Sequence, residues 1–124
     1  MFDYETLRIY LLSRPGATEH YSFGPEDMVV KVGGKMFALI VVQDPPTHIV
    51  LKCDPDYAQE LRAEYPAITT APYMSKQHWN SIQLDGSVPD DMILSMIEDS
   101  YRLVVKGLSR AAREQIPAAQ DPIM

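Results

Sequence analysis

The chain has one cysteine, Cys53, in 124 residues. No disulfide can form within it, and a reducing, cytoplasmic setting is the expectation. Its three histidines, His20, His48 and His78, are widely separated. None belongs to a paired metal spacing such as His-x-x-x-His, and Cys53 has no cysteine partner; a zinc site needs about four ligands, so no metal is expected. The longest apolar run, Met36 to Val42, is far shorter than the ~20 residues that cross a bilayer, and no membrane partner is expected. The first residues offer neither a basic stretch nor an apolar one, so no signal peptide is expected. Basic residues are outnumbered, and the formal net charge of −6 argues against tight nucleic-acid binding through bulk electrostatics. No Gly-x-Ser-x-Gly elbow supports Ser–His–Asp chemistry.

What is present describes one ordinary globular domain, 46% hydrophobic and 23% charged. Asp3 caps a first helix to about Ser13, with Tyr4, Leu7 and Leu11 at helical spacing, and Pro15-Gly16 ends it. Residues 19–24 read as a short extended piece. Two β-rich runs, 28–32 and 35–42, are joined by Gly33-Gly34, which predicts a tight hairpin because both central residues need positive φ. After a turn at Asp44-Pro45-Pro46, residues 48–52 make a third strand of an antiparallel meander. Asp54-Pro55 opens a second helix that Pro66 stops. Residues 67–78 read as irregular, 79–84 as a strand, and Pro89 opens the longest helix, to about Leu108. Four or five strands with helices at both ends and in the middle predict an α+β two-layer sandwich, mainly antiparallel, with helices packed on one face. The domain is expected over residues 1–113, with a loose tail over 114–124.

Charge is unevenly placed. Residues 31–53 carry Lys31, Lys35 and Lys52 against Asp44, and residues 100–113 carry Arg102, Lys106, Arg110 and Arg113 with no acid. These blocks form either a local anion footprint or ordinary solvated surface. Val32-Gly33-Gly34-Lys35 is not a phosphate loop, because Met36 replaces the required Ser or Thr and a strand, not a helix, follows. Frataxin-type iron binding needs a dense acidic ridge on the first helix, which offers only Asp3 and Glu5. Cys53 reads as a packing residue rather than a nucleophile. The richest segment is Lys76-Gln77-His78-Trp79-Asn80, where a cation, an imidazole, the only tryptophan and an amide adjoin. Such a group can stack a base and hold a phosphate. The plainer reading makes Trp79 a core anchor.

Several stretches, in order and spacing over about residues 1–110, resemble the MmcQ/YjbR family of small bacterial proteins. They are Arg14-Pro15-Gly16-Ala17-Thr18-Glu19, Tyr21-Ser22-Phe23-Gly24, Lys31-Val32-Gly33-Gly34-Lys35-Met36-Phe37 and Leu51-Lys52-Cys53-Asp54-Pro55. Leu61-Arg62, Lys76-Gln77-His78-Trp79-Asn80, Leu84-Asp85-Gly86 and Asp99-Ser100-Tyr101-Arg102-Leu103-Val104-Val105 follow. Tyr73, Ser75 and Ser22 stand where the family often has His, Asn and Pro.

The resemblance implies a CyaY-like (frataxin-like) fold, described as a double-wing DNA-binding arrangement, for a family whose activity is not established. The Gly33-Gly34 hairpin would be one wing, with Lys31 and Lys35 beside its tip. Lys76, His78 and Asn80 would lie at or near the second, and Arg102 and Lys106 would add a further patch. DNA is the partner this implies, with no catalytic residue and no cofactor. The alternative is a non-enzymatic adaptor for a protein or small molecule, which predicts Phe37, Trp79 and Tyr101 buried together. An enzyme would instead need a pocket built from His78, Cys53 and Lys52 with shifted pKa values.

Overall fold

The computed structural model describes residues 3–42 and 45–117. The elements in chain order are α1 (Tyr4–Leu12), β1 (Thr18–His20), β2 (Met28–Val32), β3 (Lys35–Val41), β4 (His48–Lys52) and α2 (Pro55–Glu64). β5 (Ile68–Thr70), β6 (Trp79–Gln83), α3 (Asp90–Lys106) and α4 (Arg110–Glu114) complete them. The strands form one sheet in the order β1-β2-β3-β4-β6-β5, and every neighbouring pair is antiparallel. α3 packs against β2, β3 and β4, and α2 against β5 and β6. The result is the expected α+β sandwich.

Side-chain alternation assigns the faces. Met28, Ile40, Ile49, Ile82 and Ile68 lie in register across the sheet and are all buried against the helices. Each such buried side chain contributes roughly 1.5–3 kcal/mol. The row on the other face runs Val29, Leu39, Val50, Ser81 and Thr69. On that same face, Lys31 pairs with Met36 and Lys52 with Trp79.

Val32 pairs with Lys35, so Gly33 and Gly34 are the two central hairpin residues, at φ +60° and +80°. These are the positive values that a tight hairpin demands. Further along, Val30 pairs with Ala38 but Lys31 with Met36, which leaves Phe37 as an extra bulged residue. Phe37 is buried and meets Tyr101 edge-on at 5.3 Å. Ser100, buried on α3, ties both strands to the helix: its hydroxyl donates to the Phe37 carbonyl at 2.6 Å and accepts from the Lys52 N–H at 2.9 Å.

Three expectations need correction. The stretch 67–78 contains β5, a three-residue edge strand, so the sheet has six strands rather than four or five. A short α4 follows α3, capped by the Ser109 hydroxyl accepting from the Ala112 N–H at 3.1 Å. Residues 114–116 are not loose: Ile116 packs against the core and lies 3.4 Å from where a Cβ on Gly16 would stand. Residues 118–124, and Asp44 of the expected turn, lie outside the described residues. Among the described residues no helix is long and apolar enough to cross a membrane.

Candidate nucleic-acid interface

The end of the sheet that carries the Gly33-Gly34 hairpin gathers most of the residues singled out from sequence. Lys35 and Met36 begin β3, Lys52 ends β4 and Trp79 begins β6. With Met74 and Val104 they line a groove of about 290 Å³ against the last turn of α3. Lys31 is the cross-strand partner of Met36 and stands beside the groove. Among the described residues Lys31, Lys35 and Lys52 take part in no ion pair. The C-terminal end of α3 brings a partial negative charge of about half a unit to this place. The unit charges of Lys35 and Lys52 outweigh it, which leaves the groove lining positive.

Trp79 is half-buried, and it belongs neither to the core nor to the side chains packed on it. The core-anchor reading is therefore corrected. β-alternation turns Asn80 and Ile82 inward and leaves Trp79 with Ser81 and Gln83 on the other face. The grouping of Trp79 with Phe37 and Tyr101 is corrected for the same reason: those two meet on the α3 side.

Asn80 is the opposite case. It is 2% exposed, accepts from Arg62 Nη1 through its Oδ1 at 2.6 Å, and donates from Nδ2 to the Ala58 carbonyl at 3.4 Å. Its amide is consumed in tying β6 to α2, so it cannot reach a ligand. Arg62 Nη1 also donates to the Lys76 carbonyl at 3.3 Å, and the Cys53 N–H donates to the His78 carbonyl at 2.8 Å. The backbone of this segment is thus fixed, while the side chains of Lys76 and His78 are exposed on the approach to Trp79.

The hairpin is not a free wing. A Cβ on Gly33 would lie 2.5 Å from Leu108 Cδ1, so the turn is seated on the second residue beyond α3, whereas Gly34 faces open space. Arg102 and Lys106 lie elsewhere, in a cavity of about 320 Å³ that they share with Cys53, Asp54, Tyr57 and Asp99. Arg102 is paired with Asp99. Burial, reinforced by Asp99 and Asp54, pushes the Cys53 thiol up to about 11. The thiolate is the reactive form, so Cys53 is a weak nucleophile at neutral pH. His78 does not line that cavity, and Lys52 opens into the groove instead. The three residues of the enzyme reading are neighbours through the backbone, but their side chains line no common pocket. Among the described residues no three His, Cys, Asp or Glu side chains gather as metal ligands.

Lys52, counted in the basic block of residues 31–53, is the groove cation that the wing reading left out of its contacts. Its signal was the parity of β4, where Ile49 and Leu51 face the core and so place Val50 and Lys52 on the other face.

Comparison with known proteins agrees with the fold. The model of the YjbR family matches residues 12–103. The uncharacterized protein YbdF of Escherichia coli O157:H7 is 32% identical over 113 residues, 91% of this chain and 93% of its own. The uncharacterized protein YjbR of Escherichia coli K12 is 28% identical over 105 residues, 85% of this chain and 89% of its own. Among solved structures, Deinococcus radiodurans protein DR2400, described as a DUF419 domain, superposes with a TM-score of 0.84 at 32% identity, covering 94% of this chain and 91% of that one. A Pseudomonas syringae protein at 24% identity gives a TM-score of 0.70 over 82% of this chain and 98% of its own, which speaks for the fold alone. With the family model spanning most of the sheet and its helices, the chain belongs to the YjbR family.

Proposed function

We propose that this protein is a non-enzymatic nucleic-acid-binding module that holds its ligand in the groove beside the hairpin. The observation that carries the reading is Trp79. The only tryptophan is left out of the core and lines a groove with Lys35 and Lys52. An aromatic face beside cations is the chemistry that stacks a base and neutralises its phosphate. Lys31, Lys35 and Lys52 are the phosphate contacts, with Lys76 and His78 at the approach. The net −6 does not forbid this, because at physiological salt charges beyond about 8 Å are screened and the local cations dominate. Binding is modest and salt-sensitive, as few contacts dictate. Seating of Gly33 on Leu108 favours a ligand lying beside the hairpin over a hairpin tip inserted into a duplex groove.

Trp79 supplies its own assay. Titration with single- and double-stranded DNA and with RNA should quench its fluorescence, and a Lys35→Glu/Lys52→Glu variant that folds normally should lose the response. An unchanged response in that variant would remove the groove from the account. The adaptor reading draws support from Phe23, 62% exposed in the loop between β1 and β2. Capture of a protein partner that depends on Phe23, with no nucleic acid bound, would favour it.

A further inference from the structure

Beyond the groove the strands are first covered, with Val50 and Ser81 buried, and then open again. From Lys52 and Trp79, alternate positions on the same face are Val50 and His48 on β4, and Ser81 and Gln83 on β6. A second depression of about 220 Å³ opens there, lined by Pro46, His48, Thr69, Pro72, Ser81 and Gln83. Lys52 and His48 are four residue steps apart on β4, a distance of about 13 Å.

This second depression differs in chemistry from the first. No Lys, Arg, Asp or Glu lines it. His48 Nδ1 lies 3.0 Å from the Pro46 carbonyl, so that nitrogen is the donor and the neutral ring keeps Nε2 as an acceptor. The Gln83 amide offers a donor and an acceptor, and Thr69 and Ser81 offer hydroxyls. Neutral groups with both polarities suit base edges rather than phosphates.

Pro72 lines the second depression and Met74 the first, so the chain passes from one to the other through Tyr73. Its side chain is fully exposed. Its backbone is left-handed at φ +64°, in a turn where the Met74 N–H donates to the Ala71 carbonyl at 3.3 Å. A bulky residue seldom adopts that conformation, and here the ring gains no packing in return.

We infer that the ligand is a single-stranded nucleic acid laid along β4 and β6, with one base on Trp79, the chain crossing Tyr73, and a following base read by His48, Thr69, Ser81 and Gln83. The inference rests on the nucleic-acid reading above and deepens it. The track suits two or three unpaired bases, as other sheet-surface modules hold. A duplex hides the base faces that Trp79 and Tyr73 need.

The test titrates Trp79 fluorescence with oligo-dT and oligo-U from one to nine nucleotides, and with a duplex of the longest length. Tyr73→Asn removes the ring while tolerating the left-handed backbone, and Gln83→Ala empties one wall of the second depression. Affinity is expected to climb from one to about three nucleotides and then level off. The duplex should bind at least about tenfold more weakly, since unpaired bases are what the track holds. Tyr73→Asn should weaken the trinucleotide by at least about fivefold, the low end for one lost stack, and spare the mononucleotide. Equal binding of the duplex would overturn the inference. So would normal affinity in both variants while Lys35→Glu/Lys52→Glu abolishes binding; the nucleic-acid reading would then survive without the track. Absence of binding by every oligonucleotide at low salt would remove both.

Discussion

Replacement of Ser100 by alanine strips two partners from the same spot. The Phe37 carbonyl loses its donor at 2.6 Å and the Lys52 N–H loses its acceptor at 2.9 Å. Ser100 is wholly buried, so neither group gains water in exchange. A buried polar group left unpaired costs about 1–3 kcal/mol, and two of them set an expectation of about 2–4 kcal/mol after some backbone relaxation. For a domain of this size that lowers Tm on the order of 10 °C. Urea unfolding followed by both Trp79 fluorescence and far-ultraviolet circular dichroism measures it. Amide exchange should also quicken at Lys52, whose N–H loses its acceptor when the Ser100 hydroxyl is removed. A loss under about 0.5 kcal/mol, the size of an ordinary surface change, would refute the pinning argument.

Three further outcomes follow from other contacts. Gly34→Ala should cost about 1 kcal/mol from its positive φ alone, and Gly33→Ala more, because it must also displace Leu108; paired urea denaturations compare them. Cys53 should label with a thiol reagent only as the chain unfolds. Because its folded pKa is raised to about 11, its contribution is intact below the unfolded value and is lost as pH climbs from about 8.5 towards 11, so native stability should fall over that range more in the parent than in Cys53→Ala. Hydrogen bonds from Arg8 and Tyr21 hold the Glu19 carboxyl below its ordinary value. Its contribution is therefore present above the unfolded carboxylate pKa and lost as pH drops through the lower folded one, and Glu19→Gln should flatten that acid limb of a stability–pH profile.

Much of the fold was legible because its signals are local. Gly33-Gly34 announces a hairpin by the conformation it alone tolerates, and Asp54-Pro55 announces α2, where Asp54 Oδ1 accepts from the Asp56 N–H at 3.1 Å. β5 was not legible: three residues, Ile68-Thr69-Thr70, are too few to display alternation. α4 has no buried face, so it carries no periodicity, and only Ser109 marked its start.

The site was legible in composition and misread in direction. Lys76 to Asn80 drew notice as a cluster, yet a strand sends neighbours to opposite faces. Ile82 at an inward position fixes Asn80 inward and Trp79 outward. That parity was available in the sequence; the size of the tryptophan argued against it. The role of Asn80 was beyond reach, because its partners Arg62 and Ala58 belong to a helix whose docking only the tertiary structure defines. The same holds for Leu108 under Gly33, a contact between segments far apart in the chain.

The salt dependence of binding tests the central claim most directly. Fluorescence anisotropy of a labelled single strand, read at several salt concentrations, should give a log–log slope near about −2, as three phosphate contacts at roughly 0.7 each require. In Lys35→Glu/Lys52→Glu that slope should collapse along with the affinity. Salt-insensitive binding, or a slope that the variant leaves intact, would contradict a ligand held by Lys31, Lys35 and Lys52 beside Trp79.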